Sequence, residues 1–184
     1  TDYFKKAIEQ LLGEGDIELW GFSTGGPIVA ELLSDPEIQI RTESAVIVAP
    51  ASCVNQSKLS FNAGLLSELK EVIKHPGSFS NISMVYGRKT PGDAQMLERR
   101  KRIYNALLHG KVLRETQVWR DMKVKDSGTI TFVLGGKDKI TKGYSKFKEF
   151  AALPNPQVRL IGKPNWAHLA PLFKAKELVN SIVQ

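Results

Sequence analysis

The chain has 184 residues, 42% of them hydrophobic and 24% charged, the balance of an ordinary globular domain with a substantial core. Its 26 lysines and arginines outnumber 19 acidic residues for a net charge of +7, which admits an anionic partner. No apolar run approaches the roughly 18 residues of a membrane span, and neither a Walker motif nor Gly-x-Gly-x-x-Gly supports nucleotide binding. The lone Cys53 excludes an internal disulfide and a Cys-rich zinc site, and it favours a reducing, cytoplasmic compartment.

In chain order, Phe4, Ala7, Ile8, Leu11 and Leu12 recur at helical spacing and predict an amphipathic helix that stops at Gly13. Residues 17–20, Ile-Glu-Leu-Trp, read as a strand. Residues 28–33 read as a helix with Pro27 in its first turn, where a missing N–H costs little. Between them stands Gly21-Phe22-Ser23-Thr24-Gly25, a serine in the frame Gly-x-Ser-x-Gly. Glycines at 21 and 25 let strand and helix approach closely and leave Ser23 Oγ projecting from a strained turn. The backbone N–H of Thr24, at the helix N-terminus, is placed to receive an oxyanion. By itself the motif also fits a glycine-rich turn that only packs a helix on a sheet; the strand before it and helix after it favour a nucleophile.

A second strand is expected at 44–49, and then comes a charged segment with helices near 64–74, 93–109 and 111–122. Residues 53–127 hold 14 lysines and arginines against 7 acidic residues, while the rest of the chain is balanced at 12 and 12. The basic excess therefore lies wholly in this segment, with its densest run at Arg99-Arg100-Lys101-Arg102. Such a run fits a solvated face, or a surface for an acidic acyl carrier, coenzyme A ester or anionic lipid. Nucleic acid is the weakest reading, because only Tyr104 lies near to supply stacking.

Strands at 130–134, β-branched and apolar, and at 158–161, Val-Arg-Leu-Ile, follow. The first runs into Gly135-Gly136-Lys137-Asp138-Lys139-Ile140, the second into Gly162-Lys163-Pro164-Asn165-Trp166-Ala167-His168. A nucleophilic serine needs a base, and the base needs an acid to orient it. Among the three histidines, His75 precedes Pro76 and His109 precedes Gly110, and both read as helix-terminal residues; His168 instead follows a strand. Asp138 also lies beyond a strand end, with the turn aspartate Asp93 as the weaker rival. Taken singly, Asp138 reads as a turn former and His168 as a capping residue. Their order behind the serine turn is what points to catalysis.

These three motifs, Gly-Phe-Ser-Thr-Gly, Leu-Gly-Gly-Lys-Asp-Lys-Ile and Asn-Trp-Ala-His, resemble the nucleophile elbow, acid loop and histidine loop of the α/β-hydrolases. The likeness covers about residues 1–50 and 128–184. It implies an α/β fold with a mainly parallel sheet whose four strands lie side by side. The core would comprise 1–52 and 128–184, with 53–127 inserted as a helical, basic cap. It further implies Ser23, Asp138 and His168 as catalytic residues, Thr24 as half of an oxyanion hole, and Phe22 and Trp166 at the substrate. No metal or organic cofactor is called for. Hydrolysis of a carboxylic ester or thioester is the expected reaction. Acyl transfer from a carrier-bound group, and a catalytically incomplete binding module, are the alternatives. The family's first strands and its upstream oxyanion loop have no counterpart before Ile17, and the chain begins with Thr1. An N-terminal part outside this sequence is therefore expected, leaving strand 17–20 at a sheet edge.

Overall fold

A computed structural model describes residues 2–51, 58–74, 122–152 and 155–183. The helix expected near 93–109, nearly all of that near 111–122, the basic run 99–102, and Cys53, His75, Asp93 and His109 lie outside the described residues.

The four expected strands are present: β1 (Ile17–Phe22), β2 (Thr42–Val48), β3 (Thr129–Gly135) and β4 (Val158–Lys163). They form one parallel sheet in the order β1-β2-β3-β4. β1 and β4 run two residues past their apolar stretches, because ladder pairing continues through Phe22 beside Val48 and Lys163 beside Gly135. Ala49, expected within the second strand, instead leaves it with φ of 45°. The described α-helices are α1 (Asp2–Leu12), α2 (Gly25–Leu32), α3 (Pro36–Gln39), α4 (Lys58–Lys74), α5 (Phe147–Ala151), α6 (Ala170–Phe173) and α7 (Ala175–Val183).

Successive side chains of a strand face opposite sides, and each side of this sheet has its own core. Ala45, Ile47, Ile130, Phe132 and Leu134 pack with Val29 and Ala30 of α2. Val46, Val48 and Val133 pack on the other face with Trp166 and with Leu178 of α7. β3 is buried from Ile130 through Gly135, which explains why Thr131 is the one polar side chain between Ile130 and Leu134: a parallel strand covered on both faces has no solvent side to mark with alternating polar residues. Met122 and Val124 join the first core, and Asn155 Nδ2 donates to the Met122 carbonyl at 2.6 Å.

Two elements depart from expectation. α1 ends at Gly13 as predicted, with the left-handed φ of 59° that favours glycine, but its apolar stripe is largely uncovered. Ile8 packs near Ile17, Leu32 and Ile38, whereas Leu11 and Leu12 remain 80% and 57% exposed. Lys5 fastens the helix to Asp35, the N-cap of α3, at the amino end of β1, so one turn of α1 meets the body of the fold. α4 begins at Lys58, six residues before the predicted start at 64. Gly64 punctuates the sequence pattern, yet the helix continues through it, and the reason lies in what that glycine touches. Among the described residues no helix is long and apolar enough to cross a membrane.

Candidate active site

The carboxyl ends of β1, β3 and β4 lead into the three loops singled out from the sequence. Ser23, one residue past β1, has φ of 53°, in the left-handed region that costs a non-glycine residue about 1 kcal/mol or more. The neighbouring strand over-determines this turn. Ser23 N–H donates to the Val48 carbonyl at 3.0 Å, and the Ser23 carbonyl accepts from the amides of Ala51 at 2.8 Å and Gly26 at 3.2 Å. The expected role of the glycines is corrected in one respect. A Cβ on Gly21 would stand 2.5 Å from Gly25 O, and one on Gly26 would stand 2.8 Å from Pro50 Cβ. A Cβ on Gly25 would meet nothing within 4 Å beyond its chain neighbours and the backbone of its own helix. Close packing of strand and helix therefore rests on Gly21 and Gly26, not on the second glycine of the motif.

Asp138 is 5% exposed and surrounded by donors. Its Oδ1 accepts from the amides of Ile140 at 2.9 Å and Thr141 at 2.8 Å, and its Oδ2 accepts from Thr141 Oγ1 at 2.5 Å. Burial alone would push this carboxyl up, but the hydrogen bond from His168, the imidazole's charge and the Thr141 donors outweigh it. The carboxyl is held below its ordinary value, as an anion. His168 Nδ1 stands 2.9 Å from the same Oδ2, and His168 Nε2 stands 3.0 Å from Ser23 Oγ. Residues 23, 138 and 168 thus meet in one hydrogen-bonded line. The two loops are also clipped together, because Lys137 N–H donates to the Trp166 carbonyl at 2.9 Å.

The remaining expected residues divide. The Phe22 ring lies against the imidazole, centroids 5.1 Å apart and planes tilted by 30°. Thr24 is the N-cap of α2, and among the described residues its backbone N–H has no hydrogen-bond partner. Trp166, expected at the substrate, is instead 3% exposed within the second core, with the Lys163 ammonium 5.4 Å from its ring centroid. The turn after β4, closed by Trp166 N–H on the Lys163 carbonyl, folds the indole back against the sheet. The described residues upstream of β1 pack at its other end and bring no second donor opposite Thr24.

One participant was not found from the sequence. Glu68 of α4 is 3% exposed, and its carboxylate accepts from the amides of His168 at 2.8 Å and Leu169 at 3.0 Å. Burial pushes its pKa up, and those two donors and the charge of His168 offset only part of that, with the Asp138 charge acting upward. Its neighbours in sequence mark it as one more helix glutamate, since the residues it serves lie 100 positions away. Among the described residues no group of three or more His, Cys, Asp or Glu is disposed to hold a metal.

No protein-family model matches this chain, and no curated protein does. Solved structures match throughout its length. An α/β-hydrolase enzyme from a sediment metagenome of the Mar Chica lagoon superposes with a TM-score of 0.57 at 16% identity, covering 98% of this chain and 65% of its own. An esterase of Pyrococcus furiosus gives 0.55 at 17%, covering 97% and 56%. An esterase of Exiguobacterium antarcticum gives 0.56 at 16%, covering 98% and 70%. The chain has the α/β-hydrolase fold, and it spans between about half and two thirds of the length of the first two of these proteins.

Proposed function

We propose that this chain carries the reaction centre of a serine hydrolase that cleaves a carboxylic ester or thioester through an acyl-enzyme. The observation that carries the reading is the line Ser23 Oγ–His168–Asp138, with contacts of 3.0 and 2.9 Å, hung from a serine in a left-handed turn. His168 Nε2 takes the proton from Ser23 as Oγ attacks the acyl carbonyl, then delivers it to the departing alcohol or thiol. Nδ1–H donates to Asp138, whose ionised carboxylate keeps the tautomer and stabilises the imidazolium. The Thr24 N–H receives the developing oxyanion. Water, deprotonated by His168, then releases the acid and restores Ser23. Phe22 shields one side of the imidazole, which strengthens the electrostatic interactions between the partners. The net positive charge of residues 53–127 supports an acyl group presented on an acidic carrier.

A fluorophosphonate is expected to label Ser23 covalently, and Ser23→Ala to abolish the label. His168→Ala is expected to slow labelling by several powers of ten, since base and nucleophile act as a unit. Label persisting in Ser23→Ala, on Ser44 or elsewhere, refutes the assignment. Turnover of a p-nitrophenyl ester separates an enzyme from a binding module that keeps the same residues.

A further inference from the structure

One face of α4 touches both loops that meet at Ser23. Ser60, Gly64 and Glu68 are spaced four apart and so line a single stripe of the helix. Ser60 Oγ accepts a hydrogen bond from Lys142 Nζ at 2.7 Å, at the far end of the acid loop. Gly64 approaches the same loop so closely that a Cβ would stand 2.6 Å from the carbonyl oxygen of Lys139, the residue after Asp138. Glu68 reaches the other loop and gives one carboxylate oxygen to each of two consecutive amides, those of His168 and Leu169. A carboxylate buried this completely is costly unless its partners hold it. Both of its oxygens are committed to the backbone of the histidine whose ring faces Ser23.

We propose that Glu68 is a positioning residue for His168. By holding the two amides it sets the backbone from which the imidazole reaches Ser23 and Asp138, while Ser60 and Gly64 tie the same helix to the acid loop. α4 thereby fixes the spacing between acid and base. The inference rests on the reading of Ser23 as nucleophile and His168 as base. Hydrogen bonds from backbone N–H to an ionised carboxylate are roughly twice as strong as neutral ones, and a buried amide left without its acceptor bears the full desolvation cost. Glu68→Gln keeps the size of the side chain but turns an NH₂ group toward one of the two amides. Because the imidazole must meet two partners at once, a small backbone shift is felt at Ser23.

The test is reaction of the whole chain with a fluorophosphonate, resolved into kinact and KI, with the reactive fraction read from the final extent of labelling. Glu68→Gln is expected to lower kinact about 10- to 100-fold, the scale set by ångström misplacement of a reacting group, with KI changed less than about twofold. Glu68→Asp, which retains the charge and both oxygens, recovers part of the loss, and Lys70→Ala, exposed on the same helix, leaves kinact unchanged. A merely structural role would lower the reactive fraction and leave kinact of the folded molecules alone. A wild-type chain that does not react at Ser23 overturns the nucleophile reading and this inference with it. A reactive wild type matched by Glu68→Gln overturns this inference alone. Should both Glu68 variants fail to fold, the wild type still decides: through-hydrogen-bond NMR correlations from the His168 and Leu169 amide nitrogens to the Glu68 carboxyl carbon are expected, and their absence overturns the proposal.

Discussion

Replacing Gly21 by alanine puts a methyl group 2.5 Å from Gly25 O, 2.7 Å from Gly25 C and 2.9 Å from Gly26 Cα. All three are backbone atoms of the first residues of α2, so no side-chain rotation relieves the contact. An ordinary van der Waals distance returns only if the Ser23 turn and the helix start shift by about 1 Å, against the amides of Ala51 and Gly26 that hold the Ser23 carbonyl. Overpacking of this kind costs about 1–3 kcal/mol of stability, and a displacement on that scale at a nucleophile costs roughly 10²-fold in rate. Gly25→Ala is the internal control. It meets nothing within 4 Å beyond its chain neighbours and the backbone of its own helix, so it should leave stability unchanged or raise it by up to about 1 kcal/mol, alanine being the better helix former. Urea unfolding followed by tryptophan fluorescence gives the midpoints, and fluorophosphonate labelling gives the rates. The expected order of midpoints is Gly25→Ala at or above wild type, with Gly21→Ala below both. A Gly21→Ala chain with the wild-type midpoint and labelling rate would refute this account of the elbow, as would a Gly25→Ala chain equally damaged.

Asp138→Asn is expected to keep the fold while lowering labelling of Ser23 severely, because an amide at this position favours the wrong tautomer of His168; wild-type labelling would move the acid role to another carboxylate. The stability margin of wild type over Asp138→Asn has a definite pH dependence. Because the folded carboxyl lies below its ordinary value, the margin is fully present above about pH 4 and is lost as pH falls through the depressed folded value. Glu68 acts with the opposite sign, its ionisation costing stability as pH rises from about 4.3 through its raised folded value, so urea unfolding of the two chains must be compared in pairs. A margin that stays constant to pH 3 contradicts the assignment. For the basic segment 53–127, apparent KM for a carrier-bound or coenzyme A thioester should rise steeply with salt, since exposed charges are screened within about 10 Å at 0.1 M, while a small neutral ester should be unaffected. Equal salt dependence of the two substrates would leave that charge as solvated surface.

Local chemistry by itself determined much of this protein. The apolar strand before Ser23, the glycines around it, the runs that become β3 and β4, and the polar turns carrying Asp138 and His168 are all written in residues adjacent in the chain. Backbone preference and turn chemistry act over that same short range. Chain order then sufficed to name the three residues that meet, because strands of a parallel sheet present their carboxyl ends on one side whatever their separation along the sequence. Only the tertiary structure decided the rest. Gly26 proved a packing glycine because Pro50, from the end of the next strand, lies against it. Trp166 went into the core because the turn after β4 folds inward, and Leu11 and Leu12 stayed exposed because one turn of α1 reaches the body of the fold. Glu68 found its partners across 100 residues, where no periodicity carries a signal and the docking of a helix on two loops alone sets which amides a buried carboxylate will meet.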